Sequence, residues 1–100
     1  NYGLQHAVGR YVTFVDSDDE VAADTYAPLL DALAKHAEYD IIEFTMLQKP
    51  GLPDETLFCP GEHVFDDALD WLAYKGTEHC WVCNKIFKRE LFDNVRFPIG

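Results

Sequence analysis

Tyr11-Val12-Thr13-Phe14-Val15-Asp16-Ser17-Asp18-Asp19 decides the reading of this chain. The first five residues are β-branched or aromatic and read as a buried strand, 11–15. The carboxylates then leave its C-terminal end together, which is where open α/β sheets bind ligands. Hard divalent cations prefer carboxylate oxygens, and a D-x-D spacing lets two side chains of one tight turn reach the same ion or its bound diphosphate. An isolated D-x-D is also compatible with a solvated acidic turn that caps the next helix.

Upstream, Asn1 to Tyr11 reads as a short helical stretch with Leu4, Ala7 and Val8 on one face and Gly9 as its stop. After a loop at Glu20–Ala23, a helix is expected from Asp24 or Thr25 to Glu38, with Tyr26, Leu29, Leu30, Leu33 and Ala37 on its apolar face. Pro28 is tolerated only in the first turn and pins that start, and His36 reads as a surface histidine. Asp40–Leu47 reads as a strand, broken by Lys49-Pro50-Gly51-Leu52-Pro53-Asp54, with Thr56–Cys59 returning as an antiparallel partner. A helix over Phe65–Tyr74 stopped by Gly76, a strand over 80–86, a short helix near 88–93 and an extended Arg96-Phe97-Pro98 complete the expectation.

The 100 residues carry 18 acidic and 8 basic side chains, a net charge of −10, which disfavours a nucleic-acid or anionic-membrane surface. No apolar stretch approaches the length of a membrane span, and the expectation is a cytoplasmic location. Three cysteines, an odd number, argue for reduced thiols. Cys59, His63, Cys80 and Cys83 can be written as a zinc set. The Trp81-Val82 insert favours an extended C-x-x-C over a knuckle, however, so no zinc site is expected. Glu78, Glu90, Arg10, Lys88 and Arg89 read as surface charges.

Taken together, N-x-G-L-x-x-A-x-G-x-Y-V-x-F-V-D-S-D-D over residues 1–19 resembles the centre of the family 2 glycosyltransferases, inverting enzymes of the GT-A fold. WVCNKIFKRELFDNVRFPIG over residues 81–100 resembles the same family's downstream signature, and the two blocks cover a little over a third of the chain. The resemblance implies an α/β fold, a partial GT-A (nucleotide-diphospho-sugar transferase) domain, Rossmann-like, with a mixed sheet and flanking helices. It implies transfer of a sugar from a nucleotide-diphosphate donor, a UDP-sugar foremost, to a saccharide or lipid-linked acceptor in surface polysaccharide assembly.

By the same resemblance Asp16, Ser17, Asp18 and Asp19 hold the nucleotide-sugar. Asp18 and Asp16 would contact a divalent cation, Mn²⁺ or Mg²⁺, while Trp81 and Lys85 line an acceptor or phosphate cleft. The family's general base belongs to a Glu-Asp pair a few residues after F-P-x-G. No catalytic residue is therefore assigned within 1–100, and the base is expected after Gly100. The expectation is that the 100-residue piece lacks transferase activity by itself and binds nucleotide-sugar weakly. Strand 11–15, without the earlier strands of an intact domain, is expected to offer an open edge for self-association. In the parent protein a peripheral position on the inner face of the cell membrane is expected. Two rivals are a nucleotidyltransferase and a non-enzymatic, receiver-like acidic α/β module that holds Mg²⁺ at strand ends.

Overall fold

The computed structural model describes residues 1–61, 63–75 and 81–98. The elements run α1 (Tyr2–His6), β1 (Tyr11–Thr13), α2 (Tyr26–Lys35), β2 (Ile41–Glu43), β3 (Met46–Gln48), β4 (Thr56–Phe58), α3 (Ala68–Lys75) and β5 (Lys85–Lys88). A 3₁₀ turn over Arg89–Phe92 follows. The fold is α/β, as expected. No helix among the described residues is long and apolar enough to cross a membrane.

The last strand lies in the middle of the main sheet, whose order is β1-β5-β2. Both pairings are antiparallel, with Val12 opposite Phe87 on one side and Ile42 opposite Ile86 on the other. Ile86 and Phe87 are consecutive and both buried, the pattern of a central strand covered on both faces. Consequently the two ends of the chain meet. Phe14, just beyond β1, packs edge-on against Phe87, Phe92 and Phe97 with ring centroids 6.0, 5.9 and 5.4 Å away. That separation and tilt suit the quadrupoles of the rings.

Several boundaries move from the sequence expectation for identifiable reasons. β1 stops at Thr13 rather than Val15, because the Thr13 hydroxyl donates to the Lys85 carbonyl at 2.8 Å and the chain then turns away into the acidic segment. α1 ends at His6, because Ala7 after it is extended (φ −69°, ψ 134°), so Gly9 is not its stop, and Val8 is exposed. α2 begins where Pro28 requires and buries Leu33, but it ends at Lys35. The backbone N–H of His36 still donates to Ala32, and the His36 ring then stacks on Tyr39.

The expected strand over 40–47 is two strands in two sheets. Asn84 makes the break: its backbone carbonyl accepts from Phe44 N at 2.9 Å and its side-chain amide donates to Phe44 O at 3.2 Å. Phe44 is thereby closed off, and β3 departs to pair with β4, Met46 opposite Phe58. This is the anticipated hairpin, turning through Lys49 and Gly51 at φ 54° and 79°. Glycine suits the second of these positions because it carries no Cβ.

α3 starts at Ala68, with the Asp67 carboxylate accepting from Leu69 N at 2.8 Å. Phe65 therefore precedes the helix, and Leu69 and Leu72, expected on its buried face, are exposed. The expected strand at 80–86 forms instead at Lys85–Lys88. Residues 82–84 bend and turn, so the extended C-x-x-C expected around Trp81–Cys83 is not what forms. The Gly76 stop, Glu78, Cys80 and Gly100 lie outside the described residues.

Candidate functional site

The chain leaves β1 through Phe14 and Val15 and closes a turn in which Asp19 N donates to Asp16 O at 3.0 Å. All four residues Asp16–Asp19 are exposed at the C-terminal end of β1. The turn brings the Asp16 and Asp19 carboxylates together rather than spreading them. A residue 64 positions after Asp19 joins them, since donor atoms of Asp16, Asp19 and Cys83 all lie within 4.8 Å of one another. Two donors of one ion, each bonded at about 2.1–2.3 Å, sit up to roughly 4.5 Å apart, so this trio is close to the span of a single cation. Asp18 stands outside the trio, and Ser17 occupies the turn between the carboxylates.

The electrostatics agree with the geometry. Partial loss of hydration, then the charges of Asp18 and Asp16, together with a hydrogen bond to Asp16, hold the Asp19 carboxyl above the usual aspartate range. Crowded carboxylates disfavour ionisation unless a cation joins them. Burial, then the Asp16 and Asp19 charges, push the Cys83 thiol up. Cys83 Sγ also lies 3.4 Å from Met46 Sδ. The donor chemistry fits a divalent ion held mainly by carboxylate oxygen.

The resemblance directs Lys85 toward a phosphate, and the fold points it elsewhere. Its residue is 2% exposed and its ammonium lies 3.2 Å from Glu43 Oε2, directly across the β2–β5 ladder. It also donates to Asn84 Oδ1 at 2.9 Å and to the Trp81 carbonyl. The Trp71 indole reaches the other Glu43 oxygen at 3.4 Å. An ammonium removed from water needs such partners, and their positions draw it into the core. Trp81, which precedes the turn that carries Cys83, is half-exposed. The general base expected after Gly100 lies outside the described residues.

Sequence reasoning missed Glu43 and Asn84, and it weighed Cys83 only as part of a zinc set with Cys59, His63 and Cys80. A signal was present for one of them: Glu43 is the lone charge in Ile41-Ile42-Glu43-Phe44, and a charge inside a buried apolar run asks for a partner. Asn84 is fully buried and reads from sequence as an ordinary polar residue before a strand. The association of Cys83 with Asp16 depends on the β1–β5 register, which local spacing does not reveal.

The sequence profile of Glycosyl transferase family 2 matches residues 1–96. Among curated proteins, the chain is 29% identical over 106 aligned residues to the minor teichoic acid biosynthesis protein GgaB of Bacillus subtilis (strain 168), covering 97% of this chain and 11% of that protein. It is 31% identical over 71 residues to the putative teichuronic acid biosynthesis glycosyltransferase TuaG of the same organism, covering 69% of this chain and 28% of that protein. The chain thus spans about a tenth and a little over a quarter of these relatives' lengths. No solved structure gives a significant match.

Proposed function

This chain belongs to glycosyl transferase family 2, and we propose that it contributes the donor-diphosphate part of an enzyme that transfers a sugar from a nucleotide-diphosphate donor, with inversion. The observation that carries the reading is the convergence of Asp16 and Asp19 at the end of β1, beside Cys83. UDP-sugars are the donor class proposed. The acceptor proposed is a saccharide or lipid-linked saccharide of a surface polysaccharide, in keeping with the teichoic and teichuronic acid assignments of the two relatives. Such a role implies work in the cytoplasm, at the inner face of the cell membrane.

The difficulty in the reaction is departure of the nucleoside diphosphate, whose oxygens gain negative charge as the glycosidic bond breaks. Asp16 and Asp19, or Asp18 after a small rearrangement of this exposed turn, would hold a divalent cation there, and when bound that ion supplies charge neutralisation to the leaving diphosphate. The residues of the chain do the rest by placement. The antiparallel β1–β5 pairing fixes the end of β1, and the Phe14 cluster anchors the start of the acidic turn. Trp81, half-exposed on the neighbouring turn, offers an apolar face that suits a sugar or base ring.

The antiparallel β5 at the centre of the sheet weighs against a receiver-like module, whose sheet is parallel. The outer edge of β1 carries no strand among the described residues, and self-association through it belongs to the same reading; sedimentation equilibrium tests it. The activity itself is tested with the full-length gene product carrying this chain. Radiolabelled UDP-sugars and Mn²⁺ should give labelled polymer or lipid-linked product, and Asp16→Asn with Asp19→Asn should remove it. A double variant as active as the unsubstituted protein would rule the assignment out.

A further inference from the structure

We infer that Lys85 is a positioning residue: with Glu43 and Asn84 it holds the turn at 81–84 so that Cys83 faces the acidic turn at the end of β1. The inference rests on the proposed site for its functional meaning and on separate contacts for its geometry. Lys85 is buried, and its ammonium is shared between Glu43 Oε2 at 3.2 Å, Asn84 Oδ1 at 2.9 Å and the Trp81 carbonyl. The last contact bridges back four residues and closes the turn on itself.

Asn84 fastens the other end of that turn, pairing through backbone and side chain with both polar groups of the Phe44 backbone. Thr13, the last residue of β1, donates to the Lys85 carbonyl at 2.8 Å, tying the strand that leads into Asp16 to the same residue. Cys83 lies between the two fastened ends, and its sulfur stands within 4.8 Å of the Asp16 and Asp19 donors. A buried ion pair is weak evidence of stabilisation, because apolar replacements of both partners are often neutral or better. What such replacements cannot reproduce is the hydrogen bond to the Trp81 carbonyl. Lys85 is thus suited to fix the placement of the turn, and a direct contact of its ammonium with a ligand phosphate is not part of the role.

The discriminating variant is Lys85→Met with Glu43→Gln, which removes both charges while leaving an acceptor for the Trp71 indole. It is made in a Cys59→Ser, Cys80→Ser background, so that Cys83 is the remaining thiol of the chain's three. The readout is the rate at which iodoacetamide alkylates Cys83, with thermal unfolding recorded alongside. We expect the double replacement to melt near the background protein yet alkylate about tenfold faster, reporting a loosened turn. Glu43→Gln alone leaves the buried ammonium without its counter-charge and should lower the melting temperature, but it keeps the contacts to Asn84 and to the Trp81 carbonyl, so its alkylation rate under folded conditions should stay within about twofold of background.

Equal alkylation rates in the double replacement and the background overturn the inference. So does a Glu43→Gln rate about tenfold above background under conditions where that variant is folded, which would place control in the charge pair rather than in the tether to Trp81; this comparison is made with the background protein and stands even if the double replacement fails to fold. Neither rate requires a cation or a nucleotide. A failure of the donor-site reading would instead appear as absence of Mn²⁺ and UDP binding with the alkylation pattern intact.

Discussion

Asn1 and Phe97 are joined by a two-point clamp: Asn1 Nδ2 donates to the Phe97 carbonyl at 2.8 Å, and Phe97 N donates to Asn1 Oδ1 at 2.9 Å. The carboxamide acts as a short piece of strand, satisfying both polar groups of one backbone residue. Since Asn1 opens the first signature block and Phe97 lies in the second, this pair couples the segments whose resemblance marks the family. Asn1→Ala should lower stability by about 1–2 kcal/mol, and Asn1→Asp, which keeps the acceptor and loses the donor, by about half as much. Urea unfolding measures both. Amide exchange at Phe97 should rise in step, and an unchanged exchange rate would show that the clamp is not formed in solution.

Phe14 joins three rings of the C-terminal block, so truncating it should be felt well beyond β1. Phe14→Ala is expected to cost about 3 kcal/mol, from lost burial and edge-on contacts. Leu72→Ala, on the exposed face of α3, should fall within about 0.5 kcal/mol of the parent. Comparable losses at both positions would contradict the packing described.

Asn84 is fully buried, and its side chain serves the Phe44 carbonyl where β2 gives way to β3. Asn84→Ala should cost about 2–3 kcal/mol, because the carbonyl and the Lys85 ammonium each lose a buried partner. Chemical denaturation gives the size of the loss. A change below about 0.5 kcal/mol would show that water replaces the amide without penalty.

The raised Asp19 carboxyl gives a pH dependence with a definite sign. Partial loss of hydration, then the charges of Asp18 and Asp16, favour its protonated form in the folded state. Protons therefore compete with a cation at higher pH than an ordinary aspartate would allow, and Mn²⁺ binding should weaken on acidification before the usual carboxylate range is reached. For folding, the sign is opposite to that of a salt-bridged aspartate. Ionising Asp19 opposes the folded state, so its contribution improves as pH falls through the folded-state pKa. Carbon-13 NMR titration of the Asp19 carboxyl should show the elevation, and Asp18→Asn should reduce it.

Much of this arrangement was legible in the sequence because its signals are local. Pro28 placed the start of α2, the Lys49–Asp54 breaker placed the hairpin, and the apolar run ending in Asp16 placed the acidic turn at a strand's end. What was not legible depended on partners far along the chain. Residues 40–47 alternate well enough for one strand, and it is Asn84, just before the neighbouring strand β5, that divides them. Leu69 and Leu72 recur at helical spacing yet lie outside the core, since α3 presents Trp71 to Glu43 instead. Lys85 read as a charge available to a phosphate because its neutralising partner sits 42 residues earlier, visible only once Glu43 and Lys85 are set opposite each other in the ladder.

The central claim is that the turn after β1 holds a divalent cation together with a donor diphosphate. Electron paramagnetic resonance of Mn²⁺, titrated into the full-length gene product with and without UDP, tests it most directly. The account predicts Mn²⁺ retention that strengthens with UDP and weakens at least about tenfold when Asp16 and Asp19 are both replaced by Asn, with the fold intact by circular dichroism. Equal retention by the unsubstituted and doubly substituted proteins would contradict it.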